Sequence, residues 1–83
     1  MTQDDLEMRA ARAASLQTDP MLTEILDRLR DDAVAVWEQS KTADTLQREF
    51  SWMMVKSINR LRDVIQGYID EPKITSRAVR RPE

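Results

Sequence analysis

Apolar positions along the chain recur every three or four residues, which predicts α-helices throughout. The first such stretch indicates a helix over residues 3–17, with Thr2 as its N-cap. Its apolar side consists of Leu6, Ala10, Ala13 and Leu16. Because alanine buries little area, this helix needs contact with the rest of the chain or with a neighbouring chain.

A second helix is predicted to begin at Pro20, after the N-cap candidate Asp19. Its apolar positions fall within roughly a 120° arc, which is typical of an amphipathic helix that faces one core. These positions are Leu22, Ile25, Leu26, Leu29, Ala33, Val36 and Trp37.

A turn is predicted over residues 40–44, where Asp44 and Gln47 have the spacing of a capping box. A single kinked helix is the alternative, because this segment lacks Gly and Pro. The third helix is predicted to end near Gly67 and Pro72. Its apolar stripe comprises Leu46, Phe50, Met53, Met54, Ile58, Leu61, Val64, Ile65 and Tyr68.

These elements predict an all-α fold, an antiparallel helical hairpin with an extra N-terminal helix. The expected divisions are an Ala-rich helix at residues 1–18, the hairpin at 19–71 and a basic tail at 72–83. At 83 residues without cysteine, a single core is marginal, so we expect the chain to oligomerise into a helical bundle.

Trp52 and Val55 do not fit the apolar stripe of the third helix. Relative to Phe50 they project at about 200° and about 140°, on the side that otherwise carries polar residues. We interpret them as a second interface, for which Trp52 is the anchor. The alternative is that the first helix folds back and covers them through Leu6, Met8 and Leu16.

The composition argues against catalysis. The chain contains no cysteine and no histidine, which excludes thiolate or imidazole metal sites and nucleophiles activated by histidine. The pairs Asp4–Asp5 and Asp31–Asp32 are adjacent on their helices, so their carboxylates diverge. We therefore expect no enzyme activity, no cofactor and no metal, and, without a long apolar run, no membrane span or secretory signal.

Charge is distributed unevenly along the chain. Residues 72–83 carry +3, because four cations face only Glu83, whereas the chain as a whole carries −2. The four cations are Lys73, Arg77, Arg80 and Arg81. They form a weak candidate for phosphate contacts with nucleic acid, and a solubilising end is the alternative interpretation.

Three segments resemble short all-helical proteins encoded among the structural genes of tailed bacteriophages. They are DPMLTEILDRLRDDAVAVW, then DTLQRE, then SINRLRDVI, and the resemblance spans residues 10–70. The shared pattern is an Ala-rich helix, an Asp-Pro-x-Leu helix start, a Trp near the end of that helix and a second long helix. The resemblance implies a phage-encoded protein. Because the sequence predicts neither a membrane span nor a secretory signal, we expect it in the host cytoplasm or in a virion assembled there.

The favoured prediction is a structural or adaptor protein of a phage particle, which associates with itself and with other phage structural proteins. One alternative is a DNA-packaging subunit of the small-terminase kind that presents the basic tail as an arm. The other is a small helical regulator that binds a groove on a host protein.

Overall fold

The computed structural model describes the backbone of residues 1–80 and the side chains of residues 1–75. This part of the chain is all-helical, with α1 at Gln3–Gln17, α2 at Pro20–Gln39 and α3 at Thr45–Arg80. It divides into two compact units. Unit 1 joins Met1–Asp19 to Arg62–Glu83, and unit 2 is Pro20–Leu61. None of the described helices combines the length and apolar content required to cross a bilayer.

The ends of α1 follow from local hydrogen bonds. Thr2 Oγ1 accepts from the Asp5 backbone N–H at 3.1 Å, and the Asp5 carboxylate accepts from the Thr2 N–H at 3.2 Å, which forms a capping box. At the other end the Thr18 hydroxyl donates to the Ala14 carbonyl at 2.9 Å. Predicted bounds and cap are both confirmed for α1, and α2 begins at Pro20 as predicted.

The turn between α2 and α3 is also where the sequence predicts it, so a single kinked helix is wrong. Asp44 immediately precedes α3, but its carboxylate accepts from the Lys41 N–H at 3.0 Å. Its own N–H donates to the Lys41 carbonyl at 2.9 Å. Because that N–H is already bonded, Asp44 closes the turn instead of forming the predicted capping box with Gln47.

The predicted end of α3 is wrong, because the helix continues through Gly67 and Pro72 to Arg80. Gly67 has no positive φ and therefore does not terminate the helix. Pro72 removes one N–H from the helix but is itself buried, and its carbonyl accepts from Gln3 Nε2 at 3.2 Å.

The basic segment is therefore not a separate arm over its described part. The backbone of Lys73, Arg77 and Arg80 belongs to α3, and Lys73 is exposed. Arg81 lies outside the described residues. Whether these cations meet nucleic acid stays a prediction.

Unit 1 packs α1 against the C-terminal half of α3. Leu6 and Ala13 are its buried apolar residues. The Arg9 guanidinium lies 4.2 Å from the centre of the Tyr68 ring and also pairs with the Glu71 carboxylate. Gln17 Nε2 donates to Gln66 Oε1 at 2.7 Å. The first helix thus packs on its own chain, on residues 66–72.

Unit 2 packs α2 against the first part of α3 along a narrow seam, defined here as Leu26, Ala33, Ser51 and Ile58. These four side chains are 3–8% exposed. The least exposed positions of this part of α3 are Arg48, Ser51, Val55 and Ile58, at spacings of three, four and three residues. This is the spacing of helices that pack lengthwise, and it matches the expected hairpin.

The stripe predicted for α3 is wrong in its orientation over most of unit 2, although Ile58, one of its members, does lie in the seam. Phe50 and Met53 were expected in the hairpin core, yet they are 67% and 65% exposed. The seam lies instead on the side of Val55, which was predicted to belong to a separate surface. Ala33 and Ser51 are small, so they allow two helices to approach closely, while larger side chains lie beside the seam.

Candidate interaction surfaces

Unit 2 exposes large apolar side chains on both sides of the seam. One surface, named here the tryptophan flank, is a groove lined by Arg30, Val34, Trp37, Ser51, Trp52 and Val55. The other, named the open apolar face, is formed by Ile25, Leu29, Val36, Phe50, Met54 and Leu61, each 37–67% exposed. Exposed apolar patches that are this extended mark interaction sites in soluble proteins.

The tryptophan flank is a small cavity of about 180 Å³ between the two helices. Trp37 from α2 and Trp52 from α3 line it and are 42% and 55% exposed. The Arg48 guanidinium lies over the Trp37 ring at 4.5 Å and donates to the Ser40 hydroxyl at 3.2 Å. Trp37 is therefore oriented by α3, whereas Trp52 projects toward solvent.

The predicted interface residues have different environments. Trp52 is exposed, and Val55 is half-buried beside Ser51 in the same groove. Leu6 is 7% exposed and belongs to the core of unit 1, while Leu16 is 50% exposed. Trp52 and Val55 therefore share a surface, and Trp37, which was predicted to face the hairpin core, lines it too.

The open apolar face was missed because its α3 residues were assigned to the hairpin core. Leu29, Val36, Phe50 and Met54 line a shallow cavity of about 230 Å³ beside Ala33. Within α2, Ile25, Leu29 and Val36 follow one another at spacings of four and seven residues, so they share one side of the helix. On α3, Phe50, Met54 and Leu61 follow one another at the same spacings of four and seven residues.

The two surfaces differ in charge. Arg30 lines the tryptophan flank, Arg48 covers Trp37, and the Lys56 ammonium lies 5.4 Å from the Trp52 ring centre. The flank is therefore cationic. The cavity of the open apolar face has one charged residue, Asp32, whose carboxylate lies 3.9 Å from Arg28 Nε.

Within the part of the chain that the structure describes, no group of three acidic, histidine or cysteine residues is placed to hold a metal ion. A shallow surface on α2 contains Glu24, Asp27, Asp31 and Asp32, all exposed to solvent. What the two surfaces offer is apolar contact area, with cations at the edge of one of them.

Comparison of the sequence with protein-family models, with curated proteins and with solved structures gives no match.

Proposed function

We propose that the protein is a non-enzymatic structural or adaptor component of a tailed-phage particle, which acts through helix-mediated assembly. The observation that carries the proposal is the ratio of buried to exposed apolar residues. Five apolar residues are buried, whereas sixteen large ones are 37% exposed or more among the residues described. A helical protein with so small a core and so much open apolar surface gains stability when other helices cover it.

Two separate surfaces suit an adaptor in particular. An adaptor must contact one partner while another is bound, and unit 2 has apolar side chains on both sides of its seam. The cationic tryptophan flank fits a partner segment that offers apolar side chains next to carboxylates. Indole rings are among the most frequent anchors of protein interfaces, so Trp52 remains the proposed anchor.

The phage assignment is supported by the resemblance of residues 10–70 to short helical proteins from phage structural gene clusters. It is tested by complementing a phage that lacks the corresponding gene and counting copies of the chain in purified particles by quantitative mass spectrometry. We expect a fixed copy number for the wild type. Absence of the chain from particles would contradict the proposal and favour a regulator that binds a host protein.

A substitution pair tests the role of the tryptophan flank. Trp52→Ala removes the proposed anchor while leaving the seam intact, so we expect helicity to change little and incorporation to fall at least about tenfold. Ser15→Ala, at an exposed position of α1, is the matched control, and this variant should be incorporated normally. Normal incorporation of Trp52→Ala would show that the flank does not contact the particle.

Binding to duplex DNA separates the DNA-packaging alternative. Affinity that falls steeply with salt and disappears when residues 73–83 are deleted would favour packaging. Retention of the chain in particles together with negligible DNA binding would favour the adaptor.

A further inference from the structure

We infer that the open apolar face binds a second copy of this chain across a two-fold axis, so that two unit 2 helix pairs form a four-helix bundle. This inference rests on the proposed function and specifies one of its two contacts. The tryptophan flank, on the other side of the seam, is then left for a different partner.

The size of the face fits such a dimer. It runs from residue 25 to residue 36 on α2 and from residue 50 to residue 61 on α3. With a helix width of about 10 Å and a rise of about 1.5 Å per residue, this corresponds to a footprint of roughly 350 Å² per chain. Over the full 20 residues of α2 the footprint reaches about 600 Å², the lower end of the roughly 600–1,000 Å² per partner that stable interfaces bury.

The shape of the face also fits. Two helices that lie side by side present a nearly flat surface, and two such layers are the usual construction of a four-helix bundle. The seam between α2 and α3 supplies only half of such a core. Leu29 and Phe50 extend beyond the seam, where the helices of an opposing copy would cover them.

Charge distinguishes this face from the tryptophan flank as the site of self-association. In a two-fold interface each patch meets its own copy, so like charges approach one another. Pairing two tryptophan flanks would bring Arg30, Arg48 and Lys56 of one copy toward the same three cations of the other. The cavity of the open apolar face is lined by one charged residue, Asp32, and Arg28 offsets that charge within each chain.

Sedimentation equilibrium of the full-length chain tests the inference. We expect a monomer–dimer equilibrium with a Kd in the micromolar range or tighter. Phe50→Asp puts a charge in the middle of the face, and both copies carry it, so we expect the Kd to rise at least about 100-fold. Trp52→Asp is the matched control on the opposite flank, and its Kd should stay within about threefold of the wild type.

A cross-linking measurement covers the case in which Phe50→Asp unfolds the chain. Because the sequence has no cysteine, a single new thiol reports on its own surroundings. Ser57, on the side of α3 that carries Phe50, and Asn59, on the side that carries Trp52, are both exposed. We expect Ser57→Cys to yield covalent dimers with a short bis-maleimide, at least about tenfold faster than Asn59→Cys.

Two results would overturn the inference. One is a wild-type chain that remains monomeric at millimolar concentration. The other is a dimer that Trp52→Asp dissociates and Phe50→Asp does not, or that cross-links through Asn59→Cys in preference to Ser57→Cys. Failure of the proposed function can be distinguished from failure of this inference, because the chain would then be absent from particles even if the dimer forms.

Discussion

Two leucines on α2 provide a direct test of where the seam lies. Leu26 and Leu29 are one helical turn apart, but Leu26 is 7% exposed and Leu29 is 47% exposed. Replacing each by alanine removes the same atoms and changes helix propensity equally. The difference between the two variants therefore measures burial alone.

The expected magnitudes follow from the exposures. Leu26→Ala leaves a cavity in the seam and should lower the free energy of unfolding by about 2–5 kcal/mol. Full burial of a leucine is worth about 1.5–3 kcal/mol, and Leu29 is about half covered, so Leu29→Ala should cost about 1 kcal/mol in the monomer.

Urea unfolding followed by tryptophan fluorescence measures both values. The chain has two tryptophans, and because Trp37 and Trp52 both belong to unit 2, the signal reports the unit that contains the substitutions. At higher protein concentration the cost of Leu29→Ala should grow, because a second copy would cover that side chain in the folded state only. The cost of Leu26→Ala should depend little on concentration.

Equal costs for the two variants at low concentration would refute this placement of the seam. Equal and large costs are what the original expectation for α2 predicts, with both leucines in the core, whereas a larger cost for Leu29→Ala would place the close contact on the side of Phe50. Both outcomes would also remove the basis for the proposed dimer.

Three further predictions concern unit 1. Gly67→Ala should stabilise the chain by about 0.5–1 kcal/mol in thermal unfolding, because Gly67 is mid-helix and a Cβ there meets no atom within 4 Å; a loss of stability would contradict its helical placement. Thr2→Ala should lower the free energy of unfolding by about 1 kcal/mol, because it removes the capping box. Thr23→Ala, at an exposed position of α2, should be nearly neutral. Glu71→Gln should cost less than about 1 kcal/mol, because the Arg9 and Glu71 side chains are 34% and 40% exposed, and the cost should vanish in high salt. A larger cost that persists in high salt would contradict this partial exposure of the ion pair.

Helix positions were largely predictable from the sequence, because they depend on local chemistry. The start of α1 at its Thr2 cap, the start of α2 at Pro20 and the turn before Thr45 were all predicted, and all are confirmed. These signals are steric or hydrogen-bonding properties of a few adjacent residues.

The orientation of α3 was not predictable in the same way. Periodicity identified Phe50, Met53 and Met54 as one side of the helix, and their size suggested the core. In the structure the buried residues are the small Ser51 and Ala33, which line the same cavity between α2 and α3, and small residues permit the approach of two backbones. Sequence alone does not distinguish a large apolar side chain that lies inside a hairpin from one that another layer would cover.

The position of Trp52 outside the apolar stripe was predictable, because in the sequence pattern only Val55 shared its otherwise polar side of the helix. The groove that Trp52 shares with Trp37 was not predictable, since Trp37 lies 15 positions earlier on a different helix. The end of α3 was missed because Gly67 and Pro72 usually terminate helices. Packing against α1 outweighs that local preference.

Pro72 has a consequence for the order in which the chain can lose structure. Without an N–H at this position, the carbonyl one turn earlier, on Tyr68, lacks its usual helical donor, so α3 has an intrinsic weak point there. α1 braces that point from outside, through Gln3 on the Pro72 carbonyl and through Arg9 on Tyr68 and Glu71. Detachment of α1 would therefore remove these contacts from the part of α3 around Pro72. We expect α1 and this part of α3 to lose their structure together.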